Sequence, residues 1–178
     1  MTAPPYQVLF LCTGNSARSI LAEAILNQEG GGRFKAHSAG SHPKGQVHPL
    51  ALERLRMAKL PTAGLHSKSW DEFAAPGAAE LDFVFTVCDR AAREACPSWP
   101  GQPLAAHWGI PDPAAVEGTD AVMEDAFRLA FQQLQTRINL LVSLRLESLQ
   151  RFCLQQQLQD IGRTADQARA VQHRLADG

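Results

Sequence analysis

The chain has 178 residues, 45% of them hydrophobic, with 17 Lys and Arg against 18 Asp and Glu and a formal net charge of -1. That length buries roughly two thirds of the unfolded surface in one core, so a single domain is expected, and the scattered charge offers no basic face to nucleic acid. No apolar run approaches the roughly twenty residues that cross a bilayer, and the opening MTAPPYQ has no basic-then-apolar signal, so the expected location is cytoplasmic with no membrane partner.

QVLFL, Gln7 to Leu11, is a short apolar run suited to a strand covered on both faces. Ser19 to Asn27 follows with Ile20, Leu21, Ala24 and Ile25 on one helical stripe, stopped by Gly30 to Gly32. FKAHSAG, Phe34 to Gly40, predicts a second strand. His48 to Met57 predicts a second helix with Pro49 in its first turn, and Ser67 to Phe73 one further short turn. DFVFTVCD, Asp82 to Asp89, is the third strand and QPLAAHW, Gln102 to Trp108, the fourth, after a stretch containing Pro97 and Pro100. Thr119 to Arg145 places Met123, Phe127, Ala130, Leu134, Ile138 and Leu141 on one face of a long amphipathic helix. Strands alternating with helices predict an α/β fold, a doubly wound four-stranded parallel sheet flanked by helices with right-handed crossovers. The expected division is a domain over residues 1–145 and a Gln-rich helical extension over 146–178, polar enough beyond Ala165 to fray or stay disordered.

In open parallel sheets, ligands bind beyond the carboxyl ends of the strands, and Cys12 to Arg18 lies there, between the first strand and the first helix. Backbone amides of Thr13, Gly14, Asn15, Ser16, Ala17, Arg18 and Ser19, at a helix N-terminus, make a cradle for a tetrahedral oxyanion. The same amides favour a thiolate at Cys12, the candidate nucleophile, while the planar fork of Arg18 grips two oxygens of a bound anion. A nucleotide phosphate loop does not fit, because that motif ends in Gly-Lys-Ser/Thr and has no leading thiol. In a reducing compartment Cys12, Cys88, Cys96 and Cys153 are expected to be reactive, metal-binding or inert rather than permanently bridged.

CTGNSARS followed by LAEA resembles the active-site loop of the low-molecular-weight protein tyrosine phosphatase fold. That resemblance implies a four-stranded parallel sheet in an open α/β sandwich and admits two activities, phosphatase and arsenate reductase. A reductase must supply two electrons, so further thiols discriminate. Cys88 ends the third strand on the same sheet edge as Cys12, and Cys96 follows after seven intervening residues. The passage Asp82 to Ala114, with VCD, ACP, WPG and HWGIPDPA, resembles the arsenate reductases of this fold that use two further cysteines. Phosphatases of the fold usually carry an aromatic residue after the Asp-Pro dipeptide and commonly a second loop cysteine; this chain has Ala114 and Ala17.

The resemblance implies that Cys12 attacks arsenic, that Arg18 and the loop amides hold the oxygens, and that Asp112 protonates the departing oxygen. Cys88 then attacks the sulfur of Cys12, and Cys96 attacks Cys88, leaving a disulfide for thioredoxin, or for glutathione and glutaredoxin. The gap between Cys88 and Cys96 is one residue longer than in some relatives with this relay. Asn15 and Ser19 match positions that hold the loop's shape. Asn15, Glu23 and Ser38 match a potassium site of some relatives whose remaining ligand has no clear counterpart, so no metal or cofactor is assigned. The alternatives are a phosphatase working through a Cys12 phosphoenzyme and an oxyanion- or arsenite-binding protein that does not reduce its ligand.

Plainer roles stand beside these. Cys88 alone would be a core thiol, Cys96 beside Pro97 a loop thiol, and Asp112 before Pro113 a turn former. Cys153, four residues after Leu149 on a helix, is expected to pack. His107 with Cys88 and Cys96 fits no closed zinc template. His37, His42, His48 and His66 are expected to be solvated or satisfied locally, and Trp70, Trp99 and Trp108 to cover the core.

Overall fold

The computed structural model describes residues 2–176, with side chains described as far as Arg163. In chain order its elements are β1 (Tyr6–Leu11), α1 (Arg18–Glu29), β2 (Phe34–Ala39), α2 (Pro49–Met57), α3 (Asp71–Ala74), β3 (Phe83–Thr86), α4 (Asp89–Arg93), β4 (Leu104–His107), α5 (Asp120–Ser143) and α6 (Arg151–Ala176). Single turns of 3-10 helix lie at Pro113–Ala115 and Leu146–Ser148.

The four strands form one parallel sheet in the order β2-β1-β3-β4, with Val8 opposite both Ala36 and Phe83, and Phe83 opposite Leu104. Because side chains alternate along a strand, β1 feeds two cores. Val8 and Phe10 join Phe83, Phe85, Leu104 and Ala106 in the larger one, against α1, α5 and α6. Leu9 and Leu11 join Val84 in the smaller one, under Trp70, Phe73 and Trp99. Trp108 is fully buried in the larger core, its ring stacked on Phe85 at 3.9 Å between centroids.

Several boundaries move for physical reasons. The predicted third strand stops at Thr86 because the Cys88 sulfur accepts the Ala91 N–H and caps α4, a helix the alternating pattern did not announce. The predicted turn over Ser67 to Phe73 is extended at first, with Ser69 bridged to Gly40, and only then enters α3. Pro49 occupies the first turn of α2 as expected, and His48 caps it by accepting the Leu50 N–H.

α6 lies against β4 and α5, burying Leu154, Leu158 and Ile161. The Trp108 indole donates to the Leu158 carbonyl at 3.0 Å, and the buried Arg137 donates to the carbonyls of Gly109 and Gly162. At Gly162 the helix backbone comes so close to the His107 carbonyl that a Cβ would sit 2.3 Å from its oxygen. The expectation that Cys153 packs is corrected here. Leu154, Leu158 and Ile161 take the inner stripe of α6, which turns Phe152, 80% exposed, and Cys153 to solvent. The expectation of fraying beyond Ala165 falls outside the described side chains.

Candidate active site

The loop from Cys12 to Arg18 leaves β1 between its two neighbouring strands and runs into α1. Its carbonyls are drawn outward: those of Thr13, Gly14 and Ser16 accept the backbone N–H groups of His42, Lys44 and His48. Helix α1 has Ala17 at its N-cap with no side-chain cap, so its first-turn amides remain available to an anion. Asn15 holds a left-handed backbone, with φ of 41°. Its side chain donates to Ser19 Oγ at 2.8 Å and accepts from the Lys68 N–H at 2.9 Å, so both amide ends are fixed. Gly40 packs directly behind the loop, where a Cβ would lie 2.5 Å from the Thr13 carbonyl oxygen and 2.7 Å from that of Cys12.

Arg18 is nearly buried. One terminal nitrogen donates to the Ile110 carbonyl at 3.1 Å, the other pairs with Asp112 Oδ2 at 3.2 Å, and the buried Nε has no partner among the described residues. Asp112 is fixed in turn by accepting the Ala114 N–H, so the Asp-Pro turn and the carboxylate at the site coexist in one residue.

Cys12 is 5% exposed and Cys88 2% exposed, and the two sulfurs share a hydrogen bond. Cys88 is brought down to about 5, first by the hydrogen bond from Cys12 and further by the amides of Thr13 and Ala91, against a burial cost. Cys12 is held above the usual thiol range, first by that same hydrogen bond and then by burial, although the Arg18 charge and the Gly14 amide pull the other way. The two buried thiols therefore titrate as a pair, Cys88 lowered and Cys12 raised relative to a free cysteine. Cys96 stands apart. It is exposed, three residues beyond the end of α4, and burial and Glu94 raise its pKa.

The structure thus brings Cys12, Thr13, Gly14, Asn15, Ser16, Ala17, Arg18, Ser19, Cys88 and Asp112 to one edge of the sheet and leaves Cys96 outside that cluster. Four participants carried little or no signal in the sequence. Gly40 had one, a glycine ending the second strand. Lys44, whose side chain lies over Gly14, and Glu94, which accepts the Thr13 hydroxyl, look like surface charges in the sequence. Lys68, between two serines, looks the same, yet its side chain is only 8% exposed.

A cysteine and an arginine closing an amide cradle at the first β-to-α turn of a β2-β1-β3-β4 parallel sheet define the class of this protein. Residues 7–153 match the family described as low molecular weight phosphotyrosine protein phosphatase, and the chain belongs to that family. Within it, the chain is similar to arsenate reductases. That of Halalkalibacterium halodurans is 34% identical over 131 residues, 74% of this chain and 91% of the relative. The crystal structure of arsenate reductase from Archaeoglobus fulgidus has a TM-score of 0.60 at 27% identity, covering 77% of this chain and 99% of its own. The thioredoxin-dependent arsenate reductase of Corynebacterium glutamicum has a TM-score of 0.51 at 26% identity, covering 79% of this chain and 65% of its own.

Proposed function

We propose that this chain reduces arsenate to arsenite through Cys12, Cys88 and Cys96, with thioredoxin as the electron donor. One observation carries the reading: a second buried cysteine, Cys88, stands at the nucleophile loop and accepts the N–H of Thr13, the residue next to Cys12, at 3.4 Å, which phosphate ester hydrolysis does not require. Similarity to arsenate reductases supports it.

Arsenate enters the cradle and competes with Asp112 for Arg18, whose free Nε faces no other partner among the described residues. Cys12 sulfur bonds to arsenic as a hydroxyl leaves with a proton from Asp112, and the Cys12 proton passes to Asp112, so water departs and an S–As bond remains. The Cys88 thiolate then attacks the Cys12 sulfur. The S–As bond breaks, its electron pair stays on arsenic, and arsenite leaves with a Cys12–Cys88 disulfide behind it.

Cys96, deprotonated, attacks Cys88, which frees Cys12 and forms Cys88–Cys96. This last step requires α4 to unwind, since the exposed Cys96 and the buried Cys88 lie on opposite ends of that five-residue helix. The new disulfide faces outward, where a dithiol protein reaches it, and the thioredoxin dependence of the Corynebacterium glutamicum relative supports that donor.

The test is NADPH oxidation coupled through thioredoxin reductase and thioredoxin, run with arsenate on the parent, Cys88→Ser and Cys96→Ser. Turnover in the parent and its loss in both variants is expected. Turnover only with glutathione and glutaredoxin would replace the donor. Phosphate ester hydrolysis that survives both substitutions, without arsenate turnover, would replace the function with that of a phosphatase.

A further inference from the structure

Behind the anion loop, on the side away from Cys88, lies a buried charge pair that the proposed reaction does not use. Glu23, on α1, accepts a hydrogen bond from Ser38 Oγ of β2. Lys68 Nζ stands 3.8 Å from Glu23 Oε2 and 3.1 Å from the His66 carbonyl oxygen. Both side chains are shielded, Lys68 at 8% and Glu23 at 13% exposure. The backbone of residue 68 is tied to the loop as well: its N–H bonds the Asn15 side chain and its carbonyl accepts the Gly40 N–H. Burial raises the pKa of Glu23, and Ser38 and Lys68 oppose that rise.

The Glu23 carboxylate, the Ser38 hydroxyl and the His66 carbonyl are hard oxygen donors of the kind that hold a cation. Potassium does not fit this set, because the Lys68 ammonium already stands among the oxygens. A carboxylate buried beneath a cradle for a tetrahedral anion would repel that anion unless a positive charge accompanied it.

We propose that Lys68 is a tethered cation: its ammonium takes the place of a free alkali ion behind the loop and neutralises Glu23, so that the anion cradle does not stand over an uncompensated carboxylate. Lys68 is a positioning residue, since its ammonium acts on the oxyanion through Glu23, while its backbone N–H separately holds Asn15. The inference rests on the oxyanion site described above and, for turnover alone, on the reductase reading.

The experiment uses phosphate as a stable oxyanion probe, with calorimetric affinity and thermal midpoint measured in potassium chloride and in tetramethylammonium chloride at equal ionic strength. The parent is expected to give the same affinity and midpoint in both salts. Lys68→Ala is expected to bind phosphate about tenfold more weakly in tetramethylammonium chloride and to recover to within about threefold of the parent with potassium or methylammonium, which are small enough to enter the vacated space. A purely structural lysine would not show recovery selective for small cations.

Potassium dependence in the parent, undiminished affinity in Lys68→Ala, or a loss that no small cation restores would each overturn the proposal. If Lys68→Ala does not fold, Lys68→Ala with Glu23→Gln removes the uncompensated carboxylate. That double variant is expected to be insensitive to the cation, and potassium rescue in it would equally overturn the proposal. Absence of arsenate turnover in a parent that binds phosphate independently of potassium would defeat the reductase reading and leave the tethered cation standing.

Discussion

At the scale of single residues, Cys12 and Cys88 titrate as a buried pair. The native pair gives up its first proton near 5, whereas free thiols hold theirs up to 9.0. Between those values the unfolded chain binds more protons than the folded one, so stability rises with pH; above them the folded pair retains a proton on Cys12 and the trend reverses. The difference in thermal midpoint between the parent and the Cys12→Ala, Cys88→Ala double variant should therefore grow from about pH 5 towards 9 and shrink beyond it. In the parent, ultraviolet thiolate absorbance should titrate near 5, and Cys12→Ala should move that titration upward by removing its largest cause. Arg18 makes a second argument at this scale. A lysine keeps the charge but loses the fork that reaches two oxygens, so Arg18→Lys should lower kcat/KM for arsenate by about a hundredfold in the coupled assay. The Cys-x5-Arg spacing was legible because both residues belong to one local turn. The Arg18–Asp112 pair was not, because 94 positions of chain separate the partners.

At the scale of elements, the loop keeps its shape because β2 ends in a residue without a side chain. Gly40→Ala would drive a Cβ into the Thr13 and Cys12 carbonyls, a backbone contact that cannot give way as a flexible side chain would. It should cost about 1–3 kcal/mol in denaturant unfolding and weaken phosphate binding in parallel. Helix α4 is the opposite case. It has five residues, Cys88 caps it through sulfur, and among its residues only Ala91 is buried. Such an element opens at low free energy, so its amides should exchange with solvent far faster than those of β1, measured by hydrogen–deuterium exchange. Slow exchange there would contradict the movement that the proposed Cys88–Cys96 step needs. The strands were legible as short apolar runs, whereas α4 was not, since a thiol that caps through the nearby Ala91 amide and is held by the distant Thr13 amide leaves no periodic signal.

At the scale of the whole molecule, α6 completes the core on the β4 side. It brings Leu154, Leu158 and Ile161 under cover and supplies the acceptor for the Trp108 indole. Leu158 is fully buried, so Leu158→Ala should destabilise the protein by about 2–5 kcal/mol, read from the denaturant midpoint, with a shift in Trp108 fluorescence. Phe152→Ala on the outer face should change stability by less than about 0.5 kcal/mol. The Gln-rich composition of this segment announced a helix but not which side would face inward. That choice depends on β4 and α5 being present to receive it.

By itself, the sequence determined the alternation of strand and helix, the thiol and arginine bracketing a short loop, and the presence of further thiols, because periodicity and spacing are properties of neighbouring residues. The tertiary structure alone decided that Cys88 is buried against the nucleophile loop, that Lys68 is buried against Glu23, and that Cys153 faces water. Each of those outcomes depends on burial and on partners from other elements. Desolvation and hydrogen bonding act through space, so their balance exists only once the chain has brought those partners together.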